Sequence, residues 1–119
     1  MTVADLLEQI NHQPETVQFN DVMDTIAAHY VYQPVRFSNG TGSGQVINEA
    51  GSNEGSCKLF AFAMLHGLDE QQTLNCFGLF YRKDVLGNPS GDDHANIRRF
   101  MQSGWQGIQF SSSPLTPRD

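Results

Sequence analysis

The chain has 119 residues and a formal net charge of -6, with 7 Lys and Arg against 13 Asp and Glu. This length suits a single domain with one core. Binding to nucleic acid or to an anionic membrane requires a local excess of basic side chains, so we expect neither partner. No apolar run approaches the roughly 20 residues of a membrane span, and the start lacks the features of a secretory signal. We therefore expect a soluble, cytoplasmic monomer.

Two amphipathic helices are predicted at the start of the chain. Apolar residues recur at i, i+3, i+4 and i+7 in "TVADLLEQI", and Thr2 with Asp5 resembles a capping box, so this helix should end before Pro14. The same spacing continues over 19–30 and predicts a second helix that ends before Pro34. Each helix should bury one face.

A β-hairpin is predicted after the second helix. β-branched and aromatic residues lead into the glycine-rich string "SNGTGSGQ", and "QVINEA" follows it. This pattern favours pairing of 34–39 with 44–49 across a flexible connection. The apolar residues of 107–110 suggest a third strand beside the hairpin.

The most apolar stretch, "SCKLFAFAMLHGL", predicts a helix over 57–65 with Ser56 as its N-cap and Gly67 as its stop. Apolar side chains lie on every side of this helix, and such a helix belongs in the middle of a fold. We expect the other elements to surround it.

Two further helices and a turn complete the predicted elements. "DEQQTLNCFGLFYRKDVL", residues 69–86, predicts one long helix, in which Gly78 should mark a close approach to a neighbouring helix. "GNPSGDD" predicts a turn, and Asp92 or Asp93 should cap a last helix over "HANIRRFMQSG", which Gly104 ends.

These elements predict an α+β fold: a single small domain of about five helices around a central apolar helix, with a small antiparallel sheet built on the hairpin. We assign the domain to residues 1–112. The remaining segment, 113–119, is polar and contains proline, so we expect a flexible C-terminal tail that buries little.

Cys57 is the first candidate for chemistry, because a thiol in the first turn of a helix faces the positive end of the helix dipole, which favours the thiolate. A cysteine-dependent enzyme would also need a base and a residue that orients it. His94 at the start of the last helix and the neighbouring Asp92 are the candidates. The alternative interpretation makes Cys57 a small buried apolar residue and His94 a structural ring.

The polar loop "NEAGSNEG" is the second candidate. Its spacing matches neither a calcium loop nor a phosphate-binding loop, and the chain lacks the close Cys and His pairs of a zinc site, so we expect no metal and no cofactor. The loop could form a pocket for an unknown protein or small-molecule partner, or it could serve only as turns and caps. The candidate binding residues are Asn48, Glu49, Asn53, Glu54 and Ser56.

The strings "VINEAGSNEGSCKLFAFAML", "CFGLFYRKDVLGNPSGDDHANIRRFM" and "GWQGIQF" together resemble the HopJ type III effector family, and the similarity extends over about residues 3–110. The resemblance implies a small mixed α/β domain from a bacterium, exported through a type III secretion system if it acts as an effector. It attaches no activity to any residue. We therefore expect a small binding protein that uses the polar loop and the start of the His94 helix, and keep a cysteine-dependent hydrolase or transferase as the alternative.

Overall fold

The structure, a computed structural model, describes residues 1–118 and contains in that range five α-helices, one π-helical segment and five short strands. No helix among these residues is both long and apolar enough to cross a membrane. In chain order the elements are α1 (Val3–His12), α2 (Phe19–His29), β1 (Tyr30–Tyr32), β2 (Phe37–Asn39), β3 (Val46–Asn48), α3 (Glu54–Leu65), α4 (Glu70–Asn75), the π-helical segment (Phe80–Val85), α5 (Ala95–Ser103), β4 (Gln109–Phe110) and β5 (Leu115–Pro117).

The first two helices are confirmed. Thr2 and Asp5 form both hydrogen bonds of a capping box at the start of α1. Leu6 and Ile10 of α1 are buried, and α2 buries Val22 and Ile26. Helical spacing of apolar residues thus identified both the helices and the faces that they bury.

The sheet built on the hairpin is also confirmed. β2 is its central strand and pairs antiparallel with β3, where Phe37 is opposite Asn48. On its other side β2 pairs with β4, the predicted third strand, and Phe37 is opposite Phe110. The predicted α+β class is therefore correct.

A second sheet, of β1 and β5, joins the two halves of the chain. Tyr30 is opposite Pro117, and Leu115 is only 2% exposed. The expectation that the last segment buries little is therefore wrong at Leu115, because the pairing with β1 places this side chain against the core. Asp119, the end of the tail predicted over 113–119, lies outside the described residues. A mobile tail beyond a boundary at residue 112 stays a prediction.

Helix α3 lies at the centre of the core, as predicted, and the burial expected for the predicted helix is found over 59–63. It begins at Glu54, and Asn53 rather than Ser56 precedes its first residue. Phe60 is fully buried and lies among four aromatic rings. The last turn departs from the prediction, since Met64 is 46% exposed and Leu65 is 53% exposed. The helix is thus central but is not covered on all sides at its C-terminal end.

The long helix predicted over 69–86 is wrong, because α4 ends at Asn75. Gly78 then takes a positive φ of 63°, and a Cβ at this position would lie 2.9 Å from the backbone nitrogen of Phe19. The predicted close approach is therefore present, but it occurs at a break in the helix. The π-helical segment that follows is anchored by Arg82, whose guanidinium donates to the carbonyls of Pro14 and Val17.

Candidate functional site

The starts of α3 and α5 share an unusual backbone conformation. Asn53 precedes α3 with a φ of 52°, and His94 precedes α5 with a φ of 50°. They are the two non-glycine residues of positive φ among residues 1–118, and Asn and His are among the residue types that accept this conformation most readily. Neither side chain caps its own helix. Both side chains bind other parts of the molecule instead.

Three buried asparagines connect the polar loop to α5. Asn96 Nδ2 donates to Asn48 Oδ1 at 2.9 Å, and Asn48 Nδ2 returns a hydrogen bond to Asn96 Oδ1 at 3.1 Å. Asn39 Nδ2 donates to the carbonyl of Asn96 at 2.8 Å. Asn53 adds a fourth amide from the loop, donating to Asn48 Oδ1 at 2.7 Å. We call Asn39, Asn48, Asn53 and Asn96 the asparagine network.

Burial makes the asparagine network a strong constraint on the loop. Asn39 is 0%, Asn48 1% and Asn96 6% exposed. An amide removed from water costs free energy unless it is hydrogen-bonded, so these side chains fix one another in position. One acceptor, Asn39 Oδ1, is buried without a partner among the described residues. The network therefore holds β2, β3, the loop and α5 in one arrangement.

A pocket of about 370 Å³ opens between the starts of α3 and α5. One wall is apolar and consists of Phe19, Phe77 and Phe80. The polar part of the lining, which we call the polar wall, includes Asn53, Ser56, His94 and Asn96. The volume is within the range of about 300–1,000 Å³ that is typical of small-molecule sites. We call this cavity the α3–α5 pocket.

The ring of His94 is held by two acids and one aromatic ring. Its Nε2 is 3.1 Å from Asp84 Oδ2 and 3.9 Å from Asp93 Oδ2, and the ring lies 5.2 Å from the ring of Phe80. A carboxylate only accepts, so Nε2 donates this hydrogen bond to Asp84. A hydrogen bond from Arg98 lowers the pKa of Asp93.

Asp92 does not orient His94, contrary to the sequence hypothesis. The side chain of Asp92 is exposed and makes no hydrogen bond or ion pair with the other residues of 1–118. Asp84 holds the ring instead, because the π-helical segment brings it beside the start of α5. Sequence reasoning missed Asp84, because the helix predicted over 69–86 gave no indication of the π-helical segment that carries it.

Cys57 lies in a different environment from His94. It is 1% exposed, and its neighbours are the Tyr32 hydroxyl and the backbone of Val35. Burial raises the pKa of the Cys57 thiol, and the hydrogen bonds from these neighbours favour the thiolate without offsetting burial. Within residues 1–118 the two side chains share no hydrogen bond, and Asp92 bonds to neither, so Cys57, His94 and Asp92 do not form a hydrogen-bonded triad.

The five predicted binding residues separate into three groups. Asn53 and Ser56 line the α3–α5 pocket. Asn48 is buried behind it, within the asparagine network. Glu49 forms an exposed ion pair with Arg36 at 3.4 Å, and Glu54 occupies the first turn of α3 outside the pocket lining. The polar loop therefore contributes two residues to the pocket, and its acids face elsewhere.

Asn96 is a further residue of the site that sequence reasoning missed. It precedes Ile97 and lies four residues before Phe100, and both apolar residues are buried. A polar residue on the buried stripe of a helix needs a partner. The position of Asn96 on the apolar stripe of "HANIRRFM" could therefore have indicated a buried partner.

No cluster of three or more metal-binding side chains occurs among the described residues.

Comparison with known proteins places the chain in a family. The family model described as HopJ type III effector protein matches residues 3–115, which confirms the resemblance. A crystal structure of the unknown-function protein VPA0580 has the same fold, with a TM-score of 0.94 and 45% sequence identity over 99% of this chain and 95% of that chain. No curated protein matches the chain.

Proposed function

We propose that this chain, which belongs to the HopJ type III effector protein family, is a small binding protein. It holds a ligand or a partner side chain in the α3–α5 pocket. The observation that supports this proposal is that aromatic side chains and hydrogen-bonding side chains line the same cavity of about 370 Å³. As the family's description suggests, we extend the proposal to a bacterial protein exported through a type III system, with a cytoplasmic role as the alternative.

The polar wall has hydrogen-bonding capacity to offer. Asn53 donates through Nδ2 to Asn48, which leaves the Oδ1 of Asn53 as an acceptor. The Ser56 hydroxyl has no hydrogen-bond partner among residues 1–118, and the His94 ring makes its hydrogen bond to Asp84 through Nε2, which leaves Nδ1 without a partner there. The aromatic wall can cover a flat apolar group. We therefore propose a ligand or side chain that combines an aromatic ring with a hydrogen-bonding head.

Preorganisation supports binding at this position. The asparagine network fixes the loop before a ligand arrives, so less conformational entropy is lost on binding. Gly55 lets the Phe19 ring pack against the start of α3 in the pocket lining, since a Cβ there would lie 2.8 Å from Phe19 Cζ.

The pocket can be tested with benzamide, benzoate and benzyl alcohol, each titrated while amide chemical shifts are recorded by NMR. We expect benzamide to shift the amide signals of Gly55, Ser56 and Ala95. Ala95→Trp places a large ring at the pocket lining and should weaken that binding about tenfold or more.

Ala28→Trp is the matched control, because Ala28 is also an exposed helical alanine. It should leave the titration unchanged. Shifts spread over the whole surface, or shifts that persist fully in Ala95→Trp, would contradict binding in this pocket.

The cysteine-dependent alternative makes a different prediction about Cys57. Because burial raises its pKa, the native thiol should stay protonated through the pH range in which a free thiol near 8.5 ionises. In a Cys76→Ala background we expect a thiol-reactive probe to label Cys57 slowly until urea unfolds the chain. Fast native labelling with a midpoint below the free-thiol value would instead support the enzyme.

A further inference from the structure

We propose that the chain binds an extended peptide segment by strand addition to the free edge of β4, with apolar side chains of the peptide entering the groove between β4 and the end of α3. This site is separate from the α3–α5 pocket. The groove lies beside the exposed C-terminal turn of α3, and the two cavities share no lining residue.

The register of β4 leaves backbone groups unpaired on its outer edge. Ser111 N–H donates to the carbonyl of Arg36, and Gly40 N–H donates to the carbonyl of Gly107. Hydrogen-bonded positions alternate along an antiparallel pair, so Ile108 and Phe110 turn their backbone groups away from β2. The carbonyl of Ile108 and both backbone groups of Phe110 have no partner among residues 1–118. An outer edge of this kind is a template for another strand.

The groove beside that edge is apolar. It measures about 440 Å³, and its lining consists of Ala61, Met64 and Leu65 of α3, of Ile108 and Phe110, and of the segment 112–114 that follows β4. Met64 and Leu65 are 46% and 53% exposed although the rest of α3 after its second turn is buried. An unbranched methionine side chain adapts its shape to different apolar partners.

The edge and the groove together specify the occupant. An apolar small molecule would fill the groove but leave the groups of Ile108 and Phe110 unpaired. A strand satisfies them, and every second side chain of that strand points towards α3. At about 3.3 Å per residue, the edge formed by Ile108 and Phe110 is long enough for three or four residues. The partner is therefore a short extended segment with alternating apolar side chains.

The test uses the peptide acetyl-Val-Thr-Leu-Thr-Val-amide with the full chain, followed by NMR shifts and by hydrogen exchange of the Phe110 amide. We expect the peptide to shift the signals of Phe110 and Leu65 and to slow exchange at Phe110. When the central Leu is opposite Phe110, the Leu N–H donates to the carbonyl of Phe110, so N-methylation of that Leu should weaken binding at least fivefold. The N–H of the first Thr points away from β4, so N-methylation of this Thr should leave the affinity unchanged.

Met64→Lys should also weaken binding at least fivefold, because it places a charge in the groove. Met101→Lys is the control, since Met101 is 44% exposed, close to the 46% of Met64, and lies near the end of α5. Circular dichroism checks that both variants fold.

The proposal is overturned if the peptide does not bind, or if the N-methyl-Leu peptide binds equally well, as an apolar ligand without strand pairing would. The proposal would also be overturned if, without peptide, exchange of the Phe110 amide slowed as the protein concentration was raised, because the occupant would then be a second copy of the chain.

Discussion

Replacing Phe60 by alanine is expected to lower the free energy of unfolding by about 3–5 kcal/mol, the usual cost of removing a fully buried phenylalanine. Its ring lies 5.0 Å from the ring of Phe100 and 5.5 Å from that of Phe77. The rings of Phe37 and Trp105 complete the cluster. The loss is a large part of the 5–15 kcal/mol that stabilises a typical domain. Urea denaturation followed by tryptophan fluorescence measures it.

Leu79→Ala is the control for Phe60→Ala, because Leu79 is 64% exposed. It should change the free energy of unfolding by no more than about 0.5 kcal/mol. If the two variants had similar effects, α3 would not be the centre of the core.

Replacing Asn96 has the second largest expected effect. Asn96→Ala removes the Oδ1 that accepts from Asn39 and Asn48 and the Nδ2 that donates to Asn48, although the Asn96 carbonyl still accepts from Asn39. A buried polar group that loses its partner costs about 1–3 kcal/mol. We expect a total loss of about 3 kcal/mol. Asn96→Asp should cost at least as much at neutral pH, because a carboxylate cannot donate to Asn48 Oδ1 and its charge would be buried.

Asn20→Ala controls for the higher helix propensity of alanine, since Asn20 is an exposed asparagine within α2. It should be neutral or slightly stabilising. A loss below about 0.5 kcal/mol for Asn96→Ala would mean that water, rather than the other asparagines, satisfies these side chains.

Local patterns in the sequence predicted much of the fold. The capping box of α1 and the hairpin strands depend on neighbouring residues, and Gly104 ends α5 through its positive φ of 61°. The burial of most of α3 followed from its composition. Such features are readable because each is decided within a few residues.

Features that depend on distant residues were not predictable. β1 pairs with β5 across most of the chain, and nothing local in "SSSPLTPRD" indicates this partner. The break at Gly78 depends on where the backbone of Phe19 passes. A positive φ at Gly78 costs little, so its sequence neighbours allowed a continuous helix as well.

The candidate site was predicted in location more than in detail. The polar loop and the start of the His94 helix do meet, and Asn53 and Ser56 line the α3–α5 pocket. The role of the other asparagines was missed, because Asn39 and Asn48 lie in strands where an amide usually faces solvent. Only the packing of β2 and β3 against α5 shows that they face inwards.

Hydrogen exchange of the asparagine side-chain amides, followed by NMR, tests the asparagine network most directly. We expect the Nδ2 protons of Asn39, Asn48 and Asn96 to exchange with solvent about 100-fold or more slowly than those of the exposed Asn20, because buried hydrogen-bonded groups exchange only when the structure opens. Equal exchange rates for the buried and exposed side chains would show that the polar loop is not fixed to α5, and the α3–α5 pocket would then lose its polar wall.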